Sequence, residues 1–304
     1  MKIARSILIN APADKVYAIL SDYNEWRPWS PWLIGEPEAK VTVAEDAKSY
    51  EWVGNRTGSG NMSILEESTN ESLDMQLNFL KPWKSTAKVR FELKQEGDST
   101  NVTWLMDSSL PFFMFWMTKM MTALISMDYD RGLSMLKEYV ETGSVSSKLD
   151  FKGESNFEGC QYVGIKSSCN IDKMGDQMMS DFGKMKEFLD ANSNLEPGIA
   201  FSIYHKWAPA KNRVDYTGGW AVKKIPDNLP EGFVSGSIPA TKIYTLSHIG
   251  SYGYLGNAWS TLYAMHRAKE FKPKKGIHPF EVYVSDPQEV AEKDLVTDIH
   301  FAIA

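Results

Sequence analysis

The sequence predicts an α+β protein of two domains, on three observations: alternating apolar strands ending in one long apolar helix, a polar break near residue 150, and an internal repeat beyond it. At 304 residues the chain is too long for one ordinary core. It fits two domains of roughly 150 residues each.

The first element is a short strand over Ile3, Arg5, Ile7 and Ile9. Ala11-Pro12-Ala13-Asp14 then opens a helix, proline being favoured in a first turn, and Val16, Ile19 and Leu20 give that helix an apolar face. In Trp26-Arg27-Pro28-Trp29-Ser30-Pro31-Trp32 two prolines forbid a regular helix while three tryptophans call for burial, which predicts a packed loop. From about Lys40 to Ser109 the pattern has period two, as in Leu73, Met75, Leu77 and Phe79 or Val102, Trp104 and Met106. Gly54-Asn55, Lys81-Pro82 and Gly97-Asp98 punctuate it, giving an antiparallel meander of five or six strands. A long helix, roughly Phe112 to Thr142, follows and packs on the curved sheet.

Residues 143–158, GSVSSKLDFKGESNFE, are rich in Gly, Ser and charge and read as a linker. Beyond them a strand at Gln161–Ile165 leads to a helix at Gly175–Ala191 and strands at Ile199–His205 and Arg213–Val222. The order repeats as a strand at Ala240–His248, a helix at Tyr252–Lys269, and strands at Pro279–Val284 and Leu295–Ile303. Phe201-Ser202-Ile203-Tyr204 aligns with Phe280-Glu281-Val282-Tyr283. Two such units predict a pseudo-twofold domain with a groove between them.

Charge excludes one function class. The net charge is −6, with 16 basic against 21 acidic residues through residue 150 and 17 against 18 after it, so neither half offers a cationic nucleic-acid surface. Cys160 and Cys169 lack metal-type spacing and read as reduced structural thiols, and no metal or cofactor is expected. The amino-terminal apolar stretch is broken by Asn10, Pro12 and Asp14, which argues against a signal peptide and for the cytoplasm. Leu110–Met127 has nearly the length of a spanning helix, but Lys119 lies near its middle and one amphipathic face runs on through Leu133, Leu136 and Val140. No membrane partner is therefore expected. Oligomeric state is not legible.

The opening strand, APADKVYAILSDYNEWRPWSPW, Gly58-Ser59-Gly60, the strand ending Val102-Thr103-Trp104 and the terminal GLSMLKEYVE resemble the START-like helix-grip superfamily, of the polyketide cyclase/dehydrase type, over residues 1–142. That resemblance implies a cavity between the curved sheet and its long C-terminal helix, in which Met114, Met117 and Met121 would line an apolar pocket. Gly58-Ser59-Gly60 is not a phosphate loop, since the Lys and helix start are missing.

Residues 159–304 resemble the gyrase-inhibitor-like, bacterial transcription activator effector-binding family, on Ile238-Pro239-Ala240, His248-Ile249-Gly250-Ser251-Tyr252, Leu255, Trp259, and Phe280-Glu281-Val282-Tyr283 followed by Asp286-Pro287. The resemblance implies that Glu281 faces the groove and meets cationic or polar parts of a ligand. Strand alternation independently puts Glu281 and Tyr283 on one face and Phe280 and Val282 on the other. If that face lines the groove, the carboxylate lies among Tyr204, Trp220, Tyr252 and Trp259, where a cation would supply the missing charge and the rings cation–π attraction. Otherwise Glu281 lies on the wet side of an ordinary sheet.

The expected function is thus sensing, sequestration or carriage of amphipathic, in part cationic, small molecules, in a bacterial-type chain without a helix-turn-helix DNA-binding domain. Two rivals remain: a hydrolase of electrophilic small molecules with Glu281 as general base, and a gyrase-inhibitor-like role in which an acidic surface binds a protein. His248, before a glycine turn and without a nucleophile motif, reads as structural.

Overall fold

The structure, a computed structural model, describes residues 1–109 and 112–304, and side chains throughout these except at 112–114 and 193. The chain divides into two units, Met1–Ser146 and Ser147–Ala304.

The strands of the first unit are β1 (Lys2–Ile9), β2 (Lys40–Val43), β3 (Ser49–Val53), β4 (Ser59–Ser68), β5 (Ser72–Lys81), β6 (Ser85–Glu96) and β7 (Ser99–Ser108), and its helices are α1 (Ala13–Leu20) and α2 (Thr118–Thr142). The sheet order β1-β7-β6-β5-β4-β3-β2 is an antiparallel meander of six strands whose last member returns to pair with β1. Alternation drives it: Leu73, Met75, Val89, Phe91, Val102 and Trp104 are all buried, while their sequence neighbours are not. Against that face α2 buries Tyr129, Leu133, Leu136 and Val140, spaced three and four apart. The Tyr129 ring stacks on Trp104 at 3.9 Å, and Trp104 stacks on Phe91 at 4.9 Å. Gly132 makes the approach feasible, because a Cβ there would lie 2.9 Å from the Trp104 ring. Truncating any one of these rings would cost about 3 to 5 kcal/mol. The helix stops at Gly143, whose φ of 81° suits a residue without a side chain.

The tryptophan loop is packed at two of its three rings. Trp26 and Trp29 are buried, but Trp32 is 40% exposed. Its edge rests on Trp104 and its indole N–H donates to Asp128 at 3.3 Å, so a polar partner at the rim holds it there.

In the second unit the elements are β8 (Ser147–Phe157), β9 (Cys160–Cys169), α3 (Met174–Ala191), β10 (Ala200–Ala208), β11 (Arg213–Val222), β12 (Phe233–Ile238), β13 (Thr241–Gly250), α4 (Gly256–Arg267), β14 (Phe280–Tyr283) and β15 (Val296–Ala302). They form one sheet of order β12-β9-β11-β10-β14-β15-β13-β8. From its centre the sheet reads β10-β11-β9 in one direction and β14-β15-β13 in the other, as the repeat requires. Each repeat also has a leading strand that crosses to the other: β8 pairs with β13, and β12 with β9.

The expected linker at 143–158 is corrected by this arrangement. Residues 147–157 are an edge strand, paired with β13 from Ser147↔Gly250 to Phe157↔Thr241. Leu149 and Phe151 cover the core of Leu246, Leu262, Ile299 and Phe301. A register shift between Thr245 and Leu246, with Gly153 at φ 79°, interrupts the alternation, so the strand does not show its period in sequence.

Candidate functional site

The middle of the second sheet is the antiparallel pair β10–β14, in which Ser202 lies opposite Glu281 and Phe201 opposite Val282. Alternation sends Phe201, Ile203, Phe280 and Val282 into one apolar cluster. Ser202, Tyr204, Glu281 and Tyr283 therefore point to the other face, where α3 and α4 contribute side chains.

On that face the Glu281 carboxylate is 1% exposed. Its Oε1 accepts the indole N–H of Trp259, and its Oε2 accepts the hydroxyls of Tyr204 and Tyr283, each at 3.0 Å. No Lys, Arg or His ion pair reaches Glu281 among the described residues. Burial disfavours the anion more than the three neutral donors restore it, so the carboxyl is pushed up to about 7. Tyr204 and Tyr283 are pushed well above their ordinary value, chiefly by burial and then by the Glu281 charge. Both phenols therefore keep their protons at neutral pH. The Tyr283 hydroxyl also lies 2.9 Å from Ser202 Oγ. Having one proton, it serves one acceptor at a time.

Aromatic rings surround this carboxylate. Trp259 lies 5.0 Å from Tyr204 edge-on and stacks at 6.2 Å on Tyr263, itself 39% exposed. Tyr252, 38% exposed at the start of a short 3-10 turn, lies 5.9 Å from Tyr283. Trp220 stands one ring further off: Phe182 of α3 touches both it, at 5.0 Å, and Tyr283, at 5.5 Å. The structure thus brings Tyr204, Trp259 and Tyr283 onto Glu281, leaves Tyr252 at the rim, and sets Trp220 in the α3 core beside Val163 and Met185.

Sequence reasoning does not single out Phe182, Ser202, Tyr263 or Asp181 for the site. Asp181 is 2% exposed and accepts from Ser167 at 2.6 Å, Tyr216 at 2.7 Å and Gln177 at 2.9 Å. It does leave a signal: an acid inside the apolar stripe of Met178, Phe182 and Met185 is out of place on a solvated helix face. Ser202 is signalled by its alignment with Glu281.

His248 is fully buried and 3.0 Å from Ser147 Oγ, and burial lowers it to about 4, so it is neutral at pH 7. In the first unit Met117, the last residue of a 3-10 turn (Phe112–Met117), and Met121, in the first turn of α2, are half-buried, while the side chain of Met114 lies outside the described residues. Among the described residues no cluster of three or more His, Cys, Asp or Glu could hold a metal, and no helix is long and apolar enough to cross a membrane.

Residues 1–141 match the polyketide cyclase / dehydrase and lipid transport family, and residues 156–304 match the GyrI-like small molecule binding domain. No curated protein matches the sequence. Among solved structures, the EcmrR C-terminal domain is 20% identical, covering 52% of this chain and 98% of its own, with a TM-score of 0.42. MLL2253 from Mesorhizobium loti is 12% identical over 48% of this chain and 100% of its own, with a TM-score of 0.37. TTHA0849 from Thermus thermophilus is 18% identical over 47% of this chain and 99% of its own, with a TM-score of 0.36.

Proposed function

We propose that this chain, which joins a polyketide cyclase / dehydrase and lipid transport domain to a GyrI-like small molecule binding domain, captures amphipathic organic cations at Glu281. One observation carries the reading: a carboxylate buried among aromatic rings has three neutral donors and, among the described residues, no cationic partner. Such a group is under-compensated as an anion. A lipophilic cation would restore the missing charge, and Tyr204, Tyr252 and Trp259 would add cation–π attraction of about 0.5 to 2 kcal/mol each. Tyr283 holds the carboxylate from the strand side, and Trp220 supports the wall through Phe182.

Glu281 is 1% exposed, so capture requires a neighbouring side chain to yield. Trp259 is the one donor that comes from a helix; the phenols rise from the sheet floor. Ligand entry from the exposed side of Tyr252 and Tyr263 would turn Trp259 aside. In the first unit, an apolar ligand would rest against Met117 and Met121. Their half-burial around the start of α2, away from the Trp104–Tyr129 stack, supports this second part of the reading.

Calorimetric titration of an aromatic quaternary ammonium and a neutral aromatic of the same shape, against wild type and Glu281→Gln, tests the site. Loss of the ion pair should weaken the cation about tenfold to a hundredfold and leave the neutral compound nearly unchanged. Because the carboxyl titrates at about 7, wild-type affinity for the cation should rise from pH 6 to pH 8 and flatten above. Equal weakening of both compounds would reject charge pairing. A hydrolytic role has one observation in its favour, the same carboxyl poised to exchange protons near neutrality. Turnover of a reactive electrophile that Glu281→Gln abolishes would select it.

A further inference from the structure

The start of α2 reaches past the end of the sheet, with one face half-buried and the other open to solvent. Arg5 pairs with Asp130 and the Asn10 N–H with Glu141, so α2 runs in the same direction as β1. From Arg5 back to Lys2 the strand covers about 10 Å, at roughly 3.3 Å per residue. From Asp130 back to Thr118 the helix covers about 18 Å, at roughly 1.5 Å per residue. The first turns of α2 therefore project past the end of the sheet.

That same end carries the β3–β4 and β5–β6 turns and the last residue of β7, because Val53 pairs with Ser59, Ser59 with Lys81, Phe79 with Ser85 and Ala87 with Ser108. Large apolar side chains are uncovered there. Trp116, in the 3-10 turn Phe112–Met117 that leads into α2, is 70% exposed, and Met120 and Leu124, four apart on α2, are 45% and 38% exposed. In the turns Val53 is 61% and Trp83 39% exposed.

The segments that carry these tryptophans are cationic, although the exposed Glu38 and Asp107 lie at the same end. Segments 80–84 and 115–124 contain the exposed Lys81, Lys84 and Lys119 and no acidic residue, in a half of the chain where acids outnumber bases. Indole rings beside lysines suit the headgroup layer of a bilayer, where rings settle at the interface and ammonium groups meet lipid phosphates. A protein partner fits less well, since lysine is depleted from the cores of protein interfaces.

We infer that this end of the first unit docks on the surface of membranes rich in anionic lipid. The contact is peripheral and does not span. Lys119 and the continuing amphipathic face, which argue against a transmembrane helix, are what a surface contact uses. The inference is independent of the Glu281 reading.

Flotation of the full chain with phosphatidylcholine vesicles, with and without phosphatidylglycerol, tests it at low and high salt. Wild type should float with the anionic vesicles at low salt and much less with neutral ones or at high salt. Replacing Lys81, Lys84 and Lys119 with Gln should weaken binding about fivefold per lysine. Trp83→Ser with Trp116→Ser should abolish it, and because both rings are exposed the circular dichroism spectrum and melting temperature should not change. Wild type failing to float at low salt, or the double variant floating as well as wild type, would overturn the inference. Self-association in the absence of lipid, lost in Trp116→Ser, with no vesicle binding, would overturn it in favour of a second copy of the chain.

Discussion

Ser202 and Glu281 face each other across the central strand pair, at positions that the internal repeat makes equivalent. The pseudo-twofold axis passes between them, and the Tyr283 hydroxyl reaches both, at 2.9 and 3.0 Å. A duplicated scaffold thereby presents a hydroxyl on one side and a carboxylate on the other. The asymmetry rests on Glu281.

Glu281 titrates at about 7 when folded, against 4.5 for an ordinary carboxyl. Between those values the folded chain keeps a proton that the unfolded chain has lost, so the group's cost to folding grows as pH rises from 4.5 to 7 and is constant above. At about 1.4 kcal/mol per unit, the cost near pH 8 is about 3 kcal/mol. Relative to wild type, Glu281→Gln should therefore gain melting temperature as pH rises from 5 to 8, on top of a constant offset from the amide group that meets the Trp259 or tyrosine donors. Thermal denaturation across this range decides, and a gap independent of pH would count against the buried carboxylate.

Trp259→Phe keeps a ring beside Tyr204 but removes the donor to Oε1. That hydrogen bond holds the Glu281 carboxyl down, so its loss should move the pH midpoint of cation binding upward. At pH well above that midpoint, where the carboxylate is ionised in both proteins, the variant should bind the cation more tightly, having no indole to displace. Titrations at several pH values would show both effects, and weaker binding at high pH would mean that the indole helps to hold the ligand.

Glu36 is 1% exposed and accepts from the N–H groups of Asn55, Arg56 and Thr57 at 2.6, 3.0 and 2.8 Å and from the Thr57 hydroxyl at 2.7 Å. Burial pushes this carboxyl up, but those donors outweigh it and the net shift is downward. Glu36→Gln turns an amide N–H₂ toward groups that donate, and should cost about 2 to 4 kcal/mol at neutral pH. The stabilisation is present above the ordinary carboxyl value and is lost as pH falls through the lowered one, so variant and wild type should converge in acid. Urea denaturation at neutral and acid pH measures the difference.

A fragment starting at Ser147 should fold, whereas one starting at Gly159 should not fold stably, because it lacks β8. Without β8 the ladder edge of β13 is bare and Leu149 and Phe151 no longer cover the α4 core. Far-ultraviolet circular dichroism and gel filtration of the two fragments test this, and equal stability would return residues 147–157 to the status of a linker.

Much of this architecture was legible in the sequence because it rests on local periodicity. Pleating alone put Glu281 and Tyr283 on one face of β14 and Phe280 and Val282 on the other, and the match of 201–204 with 280–283 announced the twofold relation of β10 and β14. Pairing across the chain was not legible. That 147–157 is a strand depends on β13, nearly a hundred residues away, and its bulge hides the alternation. Trp259 and Tyr204 reach Glu281, while Trp220 does not, for a similar reason: a side chain's face follows from its neighbours in sequence, but its partner follows from how helices lie on the sheet. Whether the carboxylate was wet or buried was likewise decided only when α3 and α4 closed over the strands, since desolvation depends on everything within a few ångströms and sequence adjacency supplies almost none of it.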